Sequence, residues 1–188
     1  DLTTINANRY WTDNTNSTPY EDLLTGCKFI REVGKSTGAT LNAIMGATAL
    51  NTFLSNTKVK DRADIRNYSL DNINAPQKAS TGASLHGQVS VGSYNVNLWS
   101  YPDIYEANGV ATPYMDEKKV IILPENPNFV MGFGVVPQLA TLGMPVKGKF
   151  VVSDYTDERN ASHIYDVKSA GVAIPVGVDQ IYTVKVIA

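Results

Sequence analysis

The chain has 188 residues, with 43% hydrophobic and 18% charged side chains, 18 acids against 16 bases and a single cysteine. That length buries a core without covalent staples, and one cysteine excludes an internal disulfide and any multi-cysteine metal site. A net charge of −2 with dispersed signs excludes a phosphate-gripping surface, and no apolar run reaches membrane-spanning length.

A polar opening segment carries Trp11, a large aromatic expected to dock the segment on the core. Thr18 as N-cap, Pro19 at the first helical position and Glu21 as return partner of a capping box predict a helix start. Leu23, Leu24, Cys27, Ile30 and Val33 follow at helical spacing, and Gly34 and Gly38 end the pattern, so the helix is placed at 19–35. Residues 41–45 read as a buried strand. Gly46 opens a second helix whose face is Leu50, Phe53 and Leu54 and which ends near Asn56.

From about residue 65 the texture changes. Residues 88–91 and 94–99 alternate in period two around Gly92-Ser93, which predicts a hairpin, and Asn108-Gly109 predicts another turn. Further strands are expected at 119–123, closed by Pro124, and at 129–136, where Gly132 and Gly134 suggest a bulge or close packing. Three more are expected at 149–154, 163–174 and 181–187. Helices first and strands after is an α+β order rather than an alternating βαβ one.

Few residues suggest chemistry. Gly34-Lys35-Ser36 matches the tail of a phosphate-binding loop, but Phe29 stands where its first glycine belongs and the preceding residues read as helix. Gly132-Phe133-Gly134 starts a dinucleotide fingerprint that Pro137 breaks. His86 and His163 lie far apart without metal-ligand spacing, and Ser84 lacks a nucleophile-elbow context. Cys27 on an apolar helix face reads as a small core residue. Asp154, Asp157 and Glu158 crowd one polar loop without the glycine spacing of a calcium-binding EF-hand. Tyr101, Tyr105 and Tyr114 suit either a sugar surface or a protein interface. From the residues alone we expect an α+β interaction domain with no catalytic residue, cofactor or metal.

Three ordered stretches resemble the phage major capsid protein E family. The first runs from Trp11 through Thr18-Pro19-Tyr20-Glu21-Asp22-Leu23-Leu24 to Gly38-Ala39-Thr40-Leu41-Asn42-Ala43-Ile44-Met45-Gly46, with Leu41 where the family carries proline. The second is Tyr101-Pro102-Asp103-Ile104-Tyr105, then Pro113-Tyr114-Met115-Asp116, then Val120-Ile121-Ile122-Leu123-Pro124; here Met115 is followed by Asp116 rather than proline. The third, from Ile174-Pro175 through Asp179 to Val184-Lys185-Val186, resembles the family's ending.

The resemblance implies a structural major head protein with the Hong Kong 97-like fold. Residues 19–147 would form mainly its axial (A) lobe, and 1–18 with 148–188 would supply strands of the peripheral (P) lobe. It implies self-assembly through hexamers and pentamers into an icosahedral shell around the genome. Scaffold, portal and decoration proteins are the further partners, and assembly takes place in the host cytoplasm. No catalytic residue is carried over. The N-arm, extended loop and spine helix of that fold are expected before Asp1, in a protein from which this chain is a processed product, cloned piece or proteolytic remnant. An encapsulin-type cargo shell and an unrelated carbohydrate-binding or adhesion domain are the competing readings.

Overall fold

The structure is a computed structural model and describes residues 2–5, 9–63, 71–78, 82–137, 145–157 and 159–188. A short strand, β1 (Leu2–Thr4), precedes α1 (Pro19–Glu32). In α1 the residues turned inward are Pro19, Asp22, Leu23, Gly26, Cys27 and Ile30, one face at helical spacing. Pro19 sits in the first turn, where its missing N–H has no intrahelical partner to lose. The expected capping box does not form. Thr18 stands at the cap position without a side-chain cap bond, and its hydroxyl accepts from Arg9 Nη2 instead.

After α1 the chain enters β2 (Thr40–Met45), with Leu41, Ala43 and Met45 buried, and then α2 (Ala47–Ser55). The second helix ends near Asn56, as the sequence places it, and α3 (Thr57–Ala63), which the sequence reading does not include, follows at once. Asn56 accounts for both facts. Its backbone is extended (φ −63°, ψ 132°), which ends α2, and its Oδ1 accepts from Lys58 N at 3.0 Å, which caps α3.

The remaining strands of the first compact unit are β3 (Asp71–Lys78), β4 (Ser84–Val91), β5 (Tyr94–Ser100), β6 (Ile104–Ala107), β7 (Val110–Pro113) and β8 (Lys119–Pro124). The expected hairpin is β4–β5, turning at Gly92 with φ +61°. Asn108 and Gly109, both at positive φ, turn β6 into β7, a type I′ signature.

Among the described residues, the second unit, Asn128–Val176, holds three two-stranded ribbons. β9 (Phe129–Phe133) pairs with β14 (Gly171–Pro175), β10 (Val135–Pro137) with β11 (Pro145–Lys147), and β12 (Val151–Asp157) with β13 (Ser162–Lys168). Two strands expected to be continuous are therefore each divided. The break in 129–136 falls at Gly134, whose N–H donates to Ala170 O at 2.8 Å. The break in 163–174 falls at Ser169-Ala170, where Ser169 Oγ donates to Lys149 O at 2.8 Å.

The chain returns to the first unit (Asp1–Pro127 with Gly177–Ala188) through a 3-10 turn at Val178–Gln180 and β15 (Tyr182–Lys185). This closes a seven-stranded mixed sheet in the order β1-β15-β8-β2-β5-β4-β3. β1 runs parallel to β15 and β2 parallel to β5, and the other neighbours are antiparallel. At the open edge, Pro76 lies within the register shift of β3, where a missing N–H costs no ladder bond. Leu23, Cys27 and Ile30 of α1 pack with Phe53 of α2 and with Val96, Leu98, Val120, Ile122 and Val184 on one face of the sheet. The helices fall in the first third of the chain, interleaved with β1 and β2, and the other strands follow, a mixed α+β order.

Candidate functional site

Strand alternation decides which residues reach the other face of this sheet. On β2, β5 and β8 the buried positions alternate with Asn42, Ile44, Asn97, Trp99 and Ile121, which are only partly covered, while Leu123 on the same face is itself buried. Register sets Leu123, Asn42, Asn97 and Gln88 in one row across four strands. The amides of that row are wired together. Asn42 Oδ1 accepts from Asn97 Nδ2 at 3.0 Å and from Trp99 Nε1 at 3.2 Å, and Asn97 Oδ1 accepts from Gln88 Nε2 at 3.1 Å.

Beside this row lies a cleft of about 390 Å³. Its walls are Trp99, Tyr101 and Tyr114 with Ile44, Met115, Ile121, Leu123 and Pro127. Tyr114 packs on Tyr101 and Tyr105 at centroid distances of 6.0 and 4.9 Å. One carboxylate is bonded to a wall residue of the cleft. Asp103 hydrogen-bonds Tyr101, whose hydroxyl is held above its usual titration range by partial desolvation first and by that carboxylate second. Glu125 lies between Leu123 and Pro127, and its carbonyl accepts from Asn42 Nδ2 at 3.4 Å.

The cleft is thus aromatic-walled with one acid bonded to its wall, which is how a carbohydrate site would look from a distance. Several of its polar groups, however, are committed within the fold. Asn42 is used on both sides of its amide, and Ser100 Oγ bonds His86. A lining that is mainly apolar suits an apolar side chain better than a sugar.

The residues singled out by sequence fall as follows. Cys27 is fully buried, and burial pushes its thiol up to about 12, so it is protonated and inert at neutral pH. His86 is the extra residue of a bulge in β4, beside Gly87 at φ +135°, and the bulge aims its ring at Ser100, with Nε2 2.8 Å from Oγ. Burial lowers its pKa and favours the neutral ring. Ser84, the hydroxyl nearest to His86 in sequence, is buried. The His–Ser contact was invisible in the sequence, because it depends on the bulge and on β4–β5 register.

His163 belongs to the second unit, exposed on β13, with Asp154 Oδ2 at 3.6 Å and Thr156 Oγ1 at 3.2 Å. Asp157 closes its own turn by accepting from Arg159 N and Asn160 Nδ2 at 3.0 and 2.8 Å. Glu158 lies outside the described residues. Among the described residues, no group of three or more His, Cys, Asp or Glu side chains gathers to hold a metal. Gly34-Lys35-Ser36 is a helix end and not a phosphate cradle. Gly34 O accepts from Gln180 Nε2 at 3.1 Å, and Ser36 O accepts from Arg31 Nη1 at 2.7 Å. Gly132 pairs with Val172 inside β9–β14, and another strand follows rather than a helix.

The second unit carries a different kind of surface. Phe129, Val130, Met131 and Phe133 on β9, Val172 and Ile174 on β14, and Val152, Tyr155, Tyr165 and Val167 on β12–β13 are all exposed. Successive residues point to opposite faces, so both faces of β9 are apolar and open. The sequence pattern of these strands, apolar without clean alternation, was the signal for this.

Known proteins place these surfaces in a family. The family model for phage major capsid protein E matches residues 2–186. Among solved structures, the chain is similar to a protein described as the capsid protein of a prophage of E. coli CFT073. The TM-score is 0.68 and the identity 16%, over 99% of this chain and 52% of that one. It is also similar to a phage-related protein from Bordetella bronchiseptica RB50, with a TM-score of 0.55 and 13% identity over 98% of this chain and 55% of that one. The chain therefore spans about half the length of these structures. No curated protein matches it. Matched from its first strand to its last, the chain belongs to the phage major capsid protein E family.

Proposed function

We propose that this chain is the structural major head protein of a tailed bacteriophage or prophage, with the Hong Kong 97-like fold, and that its copies tile the icosahedral shell around the DNA genome. Family membership over residues 2–186 carries the reading. The exposed strands of the second unit support it. Two-stranded ribbons are marginal in water, and large open apolar patches mark surfaces that a neighbour covers. The low charged fraction of 18% favours dense packing of many copies without mutual repulsion.

The role is mechanical and needs no catalysis, cofactor or metal. The partners are other copies, in hexamers and pentamers, with scaffold, portal and decoration proteins acting on the growing or finished shell in the host cytoplasm. Residues 19–147 are assigned mainly to the axial lobe, and 1–18 with 148–188 to the peripheral lobe. Lobes are defined by their place in a shell and not by the contacts that separate the two compact units, so a map of the assembled particle is the test of that assignment. None of these 188 residues is assigned to the N-arm, extended loop or spine helix.

Small wet contacts below about 1,000 Å² rarely hold in solution, and each association step must offset lost translational and rotational freedom. The 188-residue chain alone is therefore expected to be a monomer or weak small oligomer in dilute solution. The same residues joined to a family N-terminal region are expected to form closed shells or tubes. Light scattering and negative-stain microscopy on both decide it. A longer chain that stays monomeric at high concentration with scaffold supplied overturns the capsid reading.

A further inference from the structure

Asn108 is the one asparagine of the sequence that a glycine follows. The pair forms the tip of the β6–β7 hairpin, with Ala107 paired to Val110 on either side of it. Both residues are at positive φ, +53° and +79°, and both are exposed. No atom beyond its chain neighbours lies within 4 Å of where a Cβ on Gly109 would stand, so solvent reaches the peptide that joins the pair. Among the described residues, no hydrogen bond holds the Asn108 amide or the Gly109 N–H. Other asparagine amides are tied down. Asn97 Nδ2 donates to Asn42, Asn56 Nδ2 donates to Trp11 O and Ser17 Oγ, and Asn160 Nδ2 donates to Asp157.

We propose that Asn108 is a modification site, deamidated without an enzyme through a succinimide. The Gly109 nitrogen attacks Asn108 Cγ and an N–C bond forms. The bond from Cγ to Nδ2 breaks, and ammonia leaves with the proton of the Gly109 N–H. Attacking atom and target are neighbours in one chain, so ring closure is intramolecular. Glycine has no Cβ to hinder the nitrogen. Water then opens the ring at either carbonyl. Opening at Cγ gives aspartate, and opening at the backbone carbonyl gives isoaspartate, whose main chain runs through the side-chain carbon. Each product adds one negative charge. A two-residue turn with both residues at positive φ does not fit the extra main-chain atom of isoaspartate. The pairing of β6 with β7 then loosens, and with it the packing of Tyr105 on Tyr114, 4.9 Å between centroids, at the wall of the cleft. This inference stands apart from the shell reading.

The test is peptide mass mapping of the folded 188-residue chain, aged at mildly alkaline pH beside a portion unfolded in urea. A gain of one dalton is expected on the peptide that holds Asn108, as aspartate and isoaspartate together, and earlier than at any other asparagine. Hydrogen exchange of the aged chain is expected to quicken at β6–β7 and to stay unchanged at β4–β5. Asn108→Gln, which enlarges the ring to be closed, is expected to abolish the mass gain and the quickened exchange together. A gain in the unfolded portion alone overturns the site, because the turn then keeps the pair from reacting. Aspartate as the sole product overturns the ring-closing route, and an earlier gain at another asparagine overturns the choice of Asn108. Exchange at β6–β7 that does not change with the modification overturns its link to the cleft wall.

Discussion

Trp11 is held from several directions at once. It is 1% exposed, and its ring packs on Phe53 at 5.3 Å. Its Nε1 donates to Asp22 Oδ2 at 2.9 Å, its N–H donates to Val186 O, and its carbonyl accepts from Asn56 Nδ2, the latter two bonds both 3.1 Å. Trp11→Ala is expected to cost about 3–5 kcal/mol, the usual loss for a fully buried large aromatic, read from denaturant midpoints. An unmoved midpoint would mean that the opening segment does not contribute to the core. Asp22, its partner, is buried at 7% exposure and paired with Arg9 at 2.9 Å. Burial outweighs the Trp11 bond and the Arg9 charge, so its carboxyl titrates above the ordinary 3.8. A raised native pKa means that protonation favours the fold. The stabilisation is fully present below 3.8 and is lost as pH rises through the native value. Asp22→Asn keeps an acceptor for Trp11 and removes the titration. Relative to this variant, the unmodified protein is expected to lose stability as pH rises above 3.8, measured by unfolding at a series of pH values. The opposite slope would show that the Arg9 pair dominates.

At the scale of elements, close approach decides what sequence periodicity leaves open. Gly46 joins β2 to α2 with ordinary dihedrals (φ −63°, ψ 155°), so its need for glycine is not conformational. A Cβ there would stand 2.3 Å from Asp116 O and 2.5 Å from Glu117 Cα, both backbone atoms that cannot swing away. The same strand-to-helix joint is tied by Gly46 N donating to Lys119 O at 3.0 Å and Ala49 N donating to Glu117 O at 2.8 Å. Gly46→Ala is expected to destabilise by about 1–3 kcal/mol through overpacking, read by thermal or chemical unfolding. A neutral substitution would mean that the 116–118 loop gives way freely. Asn56 makes the same point for helices. Its amide reaches Trp11 O and Ser17 Oγ, while Lys58 Nζ donates to Thr15 and Ser17 carbonyls at 2.8 and 2.7 Å. One break between α2 and α3 thereby anchors the polar opening segment.

At the scale of the whole molecule the two units differ in kind. The first has a seven-stranded sheet covered by α1 and α2, with Ala43, Val96, Leu98, Val120 and Ile122 fully buried. The second is built of two-stranded ribbons with open apolar faces. Hydrogen exchange is expected to divide along that line. Amides of β2, β5 and β8 should exchange only through global unfolding, and those of β9–β14 and β12–β13 through easier local opening. Assembly into a shell should raise ribbon protection most, because neighbours would cover those strands. Equal protection in both units of the free chain would contradict this account of the ribbons.

The sequence by itself determined the α+β class, the positions of α1, β2, α2, β4–β5 and β8, the burial of Trp11 and Cys27, and the family through three ordered motifs. These signals are local, being helical or strand periodicity, turn residues at fixed offsets, and one large aromatic in a polar segment. The tertiary structure alone decided the mixed strand order, the His86–Ser100 contact, the cleft beside the amide row and the division of the later strands. Each of these depends on pairing between residues far apart in the chain. Asn42, for example, meets Asn97 and Trp99 at sequence separations of 55 and 57. Periodicity states which face of a strand is apolar, but only the register of its neighbours states what that face will meet.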